Sequence, residues 1–180
     1  MAVVASVFSE VQRSTLEALC DTFVPAVESD TGDPVERAFM ARAASDMLVA
    51  AQIEEMLGDA LTPEEVVEVG GLLDALAEQG LSPEASAEAR VQIVHGVRAA
   101  SPEAKQGLTQ LKGLTLLLFY GSPDDAGSNP NWEALGYPGP RSAAPSEAEA
   151  RRRSPSLPFP ASRRSFLATY AWWARAPAVA

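Results

Sequence analysis

At 180 residues, with 47% hydrophobic and 21% charged side chains, the chain has room for one domain of ordinary size with a full core, and that balance excludes wholesale disorder. Its net charge of −10 is unevenly spread: residues 1–140 carry 22 acids against 7 bases, whereas residues 141–180 carry 2 acids against 7 bases, all of them arginine. An acidic body argues against nucleic acid as a partner, because phosphate neutralisation needs a basic surface, and the basic end is too short and too interrupted by proline to reverse that.

Ser9 followed by Gln12 fits a capping box, and Val11, Leu16, Leu19 and Phe23 mark an amphipathic helix that ends before Pro25. Within it Cys20, the single cysteine, reads as a small buried hydrophobe. Asp33-Pro34-Val35-Glu36 is a stronger start signal: an N-cap, a proline at the first helical position and an acid three residues after the cap. The steps of three and four through Phe39, Met40, Ala43, Met47, Ala50, Ile53 and Leu57 predict one long second helix, with Gly58 as its stop. Thr62-Pro63-Glu64-Glu65, Ser82-Pro83-Glu84-Ala85 and Ser101-Pro102-Glu103-Ala104 repeat the same chemistry and predict three further helices. Gly80 should end the third, and the Gly70-Gly71 pair inside it allows close packing. The β-branched residues fall at helical spacing, not in alternation. The expected fold is therefore all-α: about five amphipathic helices in an irregular bundle over residues 8–121, a Pro/Gly-rich segment over 122–145, and a poorly ordered tail over 146–180.

Residues that could carry chemistry are few. His95 is the only histidine and sits among Val91, Val94 and Val97 with no second nitrogen or sulfur ligand nearby, which reads as structural. The acid pairs Glu54-Glu55 and Glu64-Glu65 read as solvated helix faces or helix N-termini. Asp124-Asp125 with Asn129 and Asn131 suggests a calcium loop, but the ligand order does not fit an EF-hand, and Pro123, Gly127 and Pro130 make a turn-rich loop the plainer reading. With no nucleophile, base or phosphate cradle in sight, no catalytic residue is assigned. Residues 1–30 show no secretory signal, which points to the cytoplasm, and no window approaches the ~18 apolar residues of a membrane span.

The stretch 111–140 stands out instead. Leu114 through Tyr120 is apolar except for Thr115, and the segment after it holds Trp132 and Tyr137 among Pro, Gly, Asn and Asp. Such rings can each bury on the order of 150–250 Å², so either they fold back over the helices or a partner covers them. Leu116, Phe119, Tyr120, Asn129, Trp132 and Tyr137 are the expected partner-interface residues.

Leu-Cys-Asp-Thr-Phe-Val-Pro (19–25), Phe-Tyr-Gly-Ser-Pro-Asp (119–124) and Asn-Pro-Asn-Trp-Glu-Ala-Leu-Gly-Tyr-Pro-Gly-Pro (129–140) carry a family likeness over about residues 10–145. The chain resembles the N-terminal helical region of long-chain fatty alcohol oxidase-like members of the glucose-methanol-choline flavoproteins, and more distantly subunit 3 of gluconate 2-dehydrogenase. What the resemblance implies is a helical companion of an FAD-dependent alcohol oxidoreductase, with FAD held by a partner subunit or by a following domain and none on this chain. Alternatives are a separate small subunit or chaperone of a membrane-associated or exported FAD-dependent sugar or alcohol dehydrogenase, and a helical adaptor unrelated to redox chemistry.

By that resemblance residues 141–180 should lead into a strand and a glycine-rich turn, yet they contain no glycine. Trp172-Trp173 must be encoded TGG TGG, and taking the third base of each codon with the first two of the next turns Ala-Trp-Trp-Ala into a hydrophobic residue, Val and Gly. With G- or C-rich third bases the stretch 168–180 reads as Asp-Val-Arg-Val-Val-Gly-Ser-Gly-Ala-Gly-Gly-Gly, a G-x-G-x-x-G pattern after a strand, so a frameshifted start of a flavin domain is expected here. Ser162-Arg163-Arg164-Ser165-Phe166-Leu167 matches a twin-arginine export signal, but at the wrong end of the chain.

Overall fold

The computed structural model describes residues 6–123 and 127–138. The tail over 146–180, its alternative-frame reading, the export-like motif and Asp124-Asp125 lie outside the described residues. Within them the chain is all-helical, with six α-helices and no strand: α1 (Glu10–Phe23), α2 (Pro34–Met40), α3 (Val49–Ala60), α4 (Pro63–Glu78), α5 (Ala87–Ala100) and α6 (Pro102–Gly121).

α1 is the element the others surround, packing against α3, α4, α5 and α6. Its sequence explains why. Leu16, Ala18, Leu19 and Cys20 are all at most 1% exposed, so the helix is covered on more than one side. Ser9 and Gln12 form the capping box: Ser9 Oγ accepts from the Gln12 amide at 3.2 Å and Gln12 Oε1 accepts from the Ser9 amide at 3.0 Å. The Gln12 side chain also reaches α4, its Nε2 donating to the Asp74 carboxylate at 3.0 Å. A Cβ on the buried Gly70 would lie 3.0 Å from that Nε2, so a larger residue there would push the Gln12 side chain aside.

The long second helix is not formed. The chain leaves the helix after Met40, makes a short 3-10 turn over Ser45–Met47 and resumes as α3. Backbone groups that a continuous helix would pair internally have other partners: the Ala44 amide donates to Val24 O at 3.1 Å, and those of Ser45 and Ala43 to the Asp21 and Asp46 carboxylates, each at 2.8 Å. Short polar side chains that compete for backbone hydrogen bonds defeat a helix whose apolar spacing is otherwise right. Gly58 lies inside α3. The helix ends at Ala60, with Leu61 and Thr62 both extended ahead of Pro63.

α4 begins at the expected cap, Thr62 and Glu65 completing a capping box, and is closed by Gly80 at φ +89 with Leu81 N donating to Leu76 O at 3.0 Å. That closure buries Leu81 to 2% exposure and needs a turn after it. Ser82 therefore closes the turn, its carbonyl accepting from the Ala85 amide at 3.2 Å, and the cap of α5 is Ser86, whose Oγ accepts from the Ala89 amide at 3.2 Å. Ser101 ends α5 and caps α6, as its position before Pro102 predicts.

Candidate functional site

The last turn of α6 presents carbonyls that no further helix can satisfy. Residues 127–137, hereafter the strap, supply the donors. Asn129 Nδ2 donates to Phe119 O at 3.1 Å and to Ser122 O at 2.8 Å, Asn131 Nδ2 donates to Phe119 O at 2.7 Å, and Trp132 Nε1 donates to Tyr120 O at 3.0 Å. The strap holds itself in shape. The Asn131 amide donates to Asn129 Oδ1 at 2.8 Å, an Asx-turn across Pro130. Gly136 at φ +63 then lets the Tyr137 amide reach Trp132 O at 2.8 Å and the Gly136 amide reach Glu133 O at 3.0 Å, the pairing of a Schellman closure.

The strap is also tied to the α2–α3 connection. Arg42 Nη1 donates to Asn131 Oδ1, and Asn131 Nδ2 lies 3.2 Å from Met47 Sδ. Asn131 is fully buried, so these bonds satisfy an amide that would otherwise be costly to remove from water.

The six expected interface residues divide accordingly. Phe119 (1% exposed), Asn129 (3%) and Trp132 (7%) are interior, and Leu116 is half-buried against the core. Of the two alternatives for Trp132, it folds back over the helices. Tyr120 and Tyr137 are the exposed pair, at 37% and 48%. Tyr120 packs edge-on against Phe119, centroids 4.9 Å apart, and tilted against Phe39 at 6.2 Å; Tyr137 packs edge-on against Trp132 at 5.2 Å. Leu117 (39%) and Leu135 (49%) are exposed apolar side chains on the same two segments. The sequence reading did not place these or Arg42 in the site, and it named Met47 only as an apolar helix position and Asn131 only in a calcium-loop comparison. For Asn131 a signal was present, because Asn-x-Asn around a proline is Asx-turn chemistry.

This corner offers hydrogen-bond closure and apolar surface, and no reacting group. Cys20 is core: burial pushes its thiol up to about 12, partly opposed by the Thr115 hydroxyl 3.5 Å away and added to slightly by Asp21 and Glu17. His95 is exposed on α5. Among the described residues no group of three or more His, Cys, Asp or Glu side chains could hold a metal ion, and no helix is long and apolar enough to cross a membrane.

Against known proteins, the model of the gluconate 2-dehydrogenase subunit 3 family matches residues 10–139, from the start of α1 to just past the strap. The chain belongs to the gluconate 2-dehydrogenase subunit 3 family. No curated protein and no solved structure gives a significant match. The family match takes in α6 and the strap together, so the closure of one by the other lies within the family's span.

Proposed function

We infer that this chain is a non-catalytic helical accessory to an FAD-dependent oxidoreductase and acts by packing against the flavoprotein. The observation that carries the reading is membership of a dehydrogenase small-subunit family across α1 to the strap. The α6–strap corner suits the contact: Leu117, Tyr120, Leu135 and Tyr137 are large, exposed side chains carried on backbone that the Asn129, Asn131 and Trp132 bonds hold in place. Rigid aromatic anchors of this kind lose little entropy on binding. In this reading Trp132 and Asn129 position the surface, and Tyr120 and Tyr137 touch the partner.

The test is capture of the FAD oxidoreductase by the purified chain. Tyr120→Ala and Tyr137→Ala should each weaken capture by about 2 kcal/mol if they are interface hot spots, with the helical content of the chain unchanged. Unaltered capture by both variants would remove this corner from the interface.

A second reading concerns how the partner is attached. The alternative-frame reading of residues 168–180 as a strand followed by G-x-G-x-x-G favours a flavin domain of the glucose-methanol-choline alcohol oxidase type, once continuous with this helical region, over a separate subunit. Sequencing the gene decides it. A flavin domain running on in the other frame supports the covalent form, and an intact flavoprotein gene alongside supports the subunit.

A further inference from the structure

A groove of about 340 Å³ runs between α1, the 3-10 turn and α3, lined by none of the residues of the α6–strap corner. Small side chains, Ser45, Ala50 and Ala51, leave the space. Ser14 and the apolar Leu16 and Leu48 line it too, and its charged groups are the carboxylates of Glu10, Glu17 and Glu54 against the single guanidinium of Arg13. Glu54 already accepts hydrogen bonds from Ser6 Oγ and the Phe8 amide. Arg13 follows Glu10 by three residues and precedes Glu17 by four, so helix spacing brings both carboxylates within its reach and one remains in excess.

On the groove stands Leu48. It is 71% exposed although its neighbour Val49 is fully buried and Met47 packs against the core. At φ 52 and ψ 34 it is the one non-glycine with positive φ among the described residues. Glycine or asparagine would hold that turn with less strain and expose no apolar surface. A large apolar side chain in the left-handed region, turned outward over an acidic groove with a small-residue floor, is a surface shaped for something else to cover.

We propose that this groove receives a basic amphipathic segment of a partner protein, whose apolar side chains pack on Leu48 and the alanine floor while its Lys or Arg side chains face Glu10 and Glu17. Charge selects this occupant. A second copy would bring like charge to like, since residues 1–140 carry 22 acids against 7 bases, and anionic lipid or nucleic acid would be repelled for the same reason. The proposal is independent of the α6–strap reading, because the groove shares no residue with that corner.

The test uses the full chain labelled with 15N and two synthetic helical peptides with the same leucine-alanine face, one flanked by arginine and lysine and the other by glutamate. The basic peptide should bind, shift the amide signals of Ser14, Leu48, Ala50 and Ala51, and lose affinity as salt is raised; the acidic peptide should not bind. Leu48→Gly and Leu48→Asn, both compatible with the left-handed turn, should keep or raise the melting temperature while weakening binding about tenfold or more, as loss of a buried anchor does. Glu17→Arg should weaken it as well. Equal binding of the two peptides, no binding of the basic one, or undiminished binding by both Leu48 variants overturns the proposal. So does self-association in sedimentation that the Leu48 variants abolish, since that would make a second copy the occupant.

Discussion

Replacing Asn131 by alanine should be among the most damaging single changes outside the apolar core. The side chain is fully buried and joins three parts of the chain: its Nδ2 donates to Phe119 O of α6, its Oδ1 accepts from the Arg42 guanidinium of the α2–α3 connection, and its own backbone closes the strap. The bond to Phe119 O is a neutral one worth about 1 kcal/mol, and that carbonyl keeps Asn129 as a second donor. The bond from Arg42 is charge-assisted, worth about 1.5–3 kcal/mol, and its loss leaves a half-buried guanidinium nitrogen without that acceptor. The expected loss is therefore about 2–4 kcal/mol. For a chain of this size, 3 kcal/mol corresponds to a fall in Tm of roughly 6–12 °C. Urea unfolding followed by far-ultraviolet circular dichroism measures it, with Leu135→Ser, an exposed strap substitution, as the control that should stay within about 0.5 kcal/mol. If Asn131→Ala unfolded at the same urea concentration as the unaltered chain, the strap would not be closing on α6 in solution, and the positioning argument for Tyr120 and Tyr137 would fail with it.

Other outcomes follow from the same geometry. Trp132→Phe keeps most of the buried ring but removes the bond to Tyr120 O, so it should cost about 1 kcal/mol in chemical unfolding, whereas Trp132→Ala, which also opens a cavity, should cost about 3–5 kcal/mol. Ser86→Ala should lower stability by about 1 kcal/mol as the loss of a helix cap, while Ser82→Ala should do much less because its backbone, not its hydroxyl, closes the turn; equal effects would put the start of α5 back at Ser82. Cys20 should resist thiol reagents at pH 8 until the chain is unfolded. Its folded pKa is raised from an ordinary 9.0 to about 12, so the folded state holds a proton that the unfolded state releases, and stability should be unaffected by this group below pH 9 and fall as pH rises from there toward 12. A Cys20→Ser variant should lose that alkaline limb.

Helix starts were legible because their chemistry is local. Ser9, Asp33, Thr62 and Ser101 each cap the helix that follows them, through side chains that reach an amide only two or three residues on. Ends and breaks were less legible where the deciding partner is distant. Nothing in the spacing from Phe39 to Leu57 reveals that the Ala44 amide will pair with Val24 O or that of Ser45 with Asp21, twenty or more residues earlier. The Ser45-Asp46 pair was the one local warning. At Ser82 the expected cap gave way to Ser86, because the closure of α4 that buries Leu81 leads into a turn that the Ser82 carbonyl closes.

The segment 111–140 was legible as a distinctive stretch, and the split of its side chains between interior and surface was not. Apolar density and loop composition marked 111–140, yet a tryptophan in a Pro/Gly-rich loop looks the same in sequence whether its indole caps a helix carbonyl or meets a partner. Only the spatial return of the strap to Phe119 and Tyr120 separates the two. That return turns Trp132 inward and leaves Tyr120, Tyr137, Leu117 and Leu135 exposed. Leu48 was hidden for a similar reason: its place in an expected continuous helix gave no hint of a left-handed turn.

The central proposal, that this chain works by holding an FAD-dependent oxidoreductase, is tested most directly by co-expressing it with any flavoprotein polypeptide that sequencing finds beside its gene or in the alternative frame, and measuring the mass and flavin content of what co-purifies. The account predicts a one-to-one complex whose flavin is carried by the other polypeptide, and which Tyr120→Ala/Tyr137→Ala disrupts while the helical chain stays folded. Two folded proteins that elute apart, or flavin retained by the helical chain alone, would contradict it.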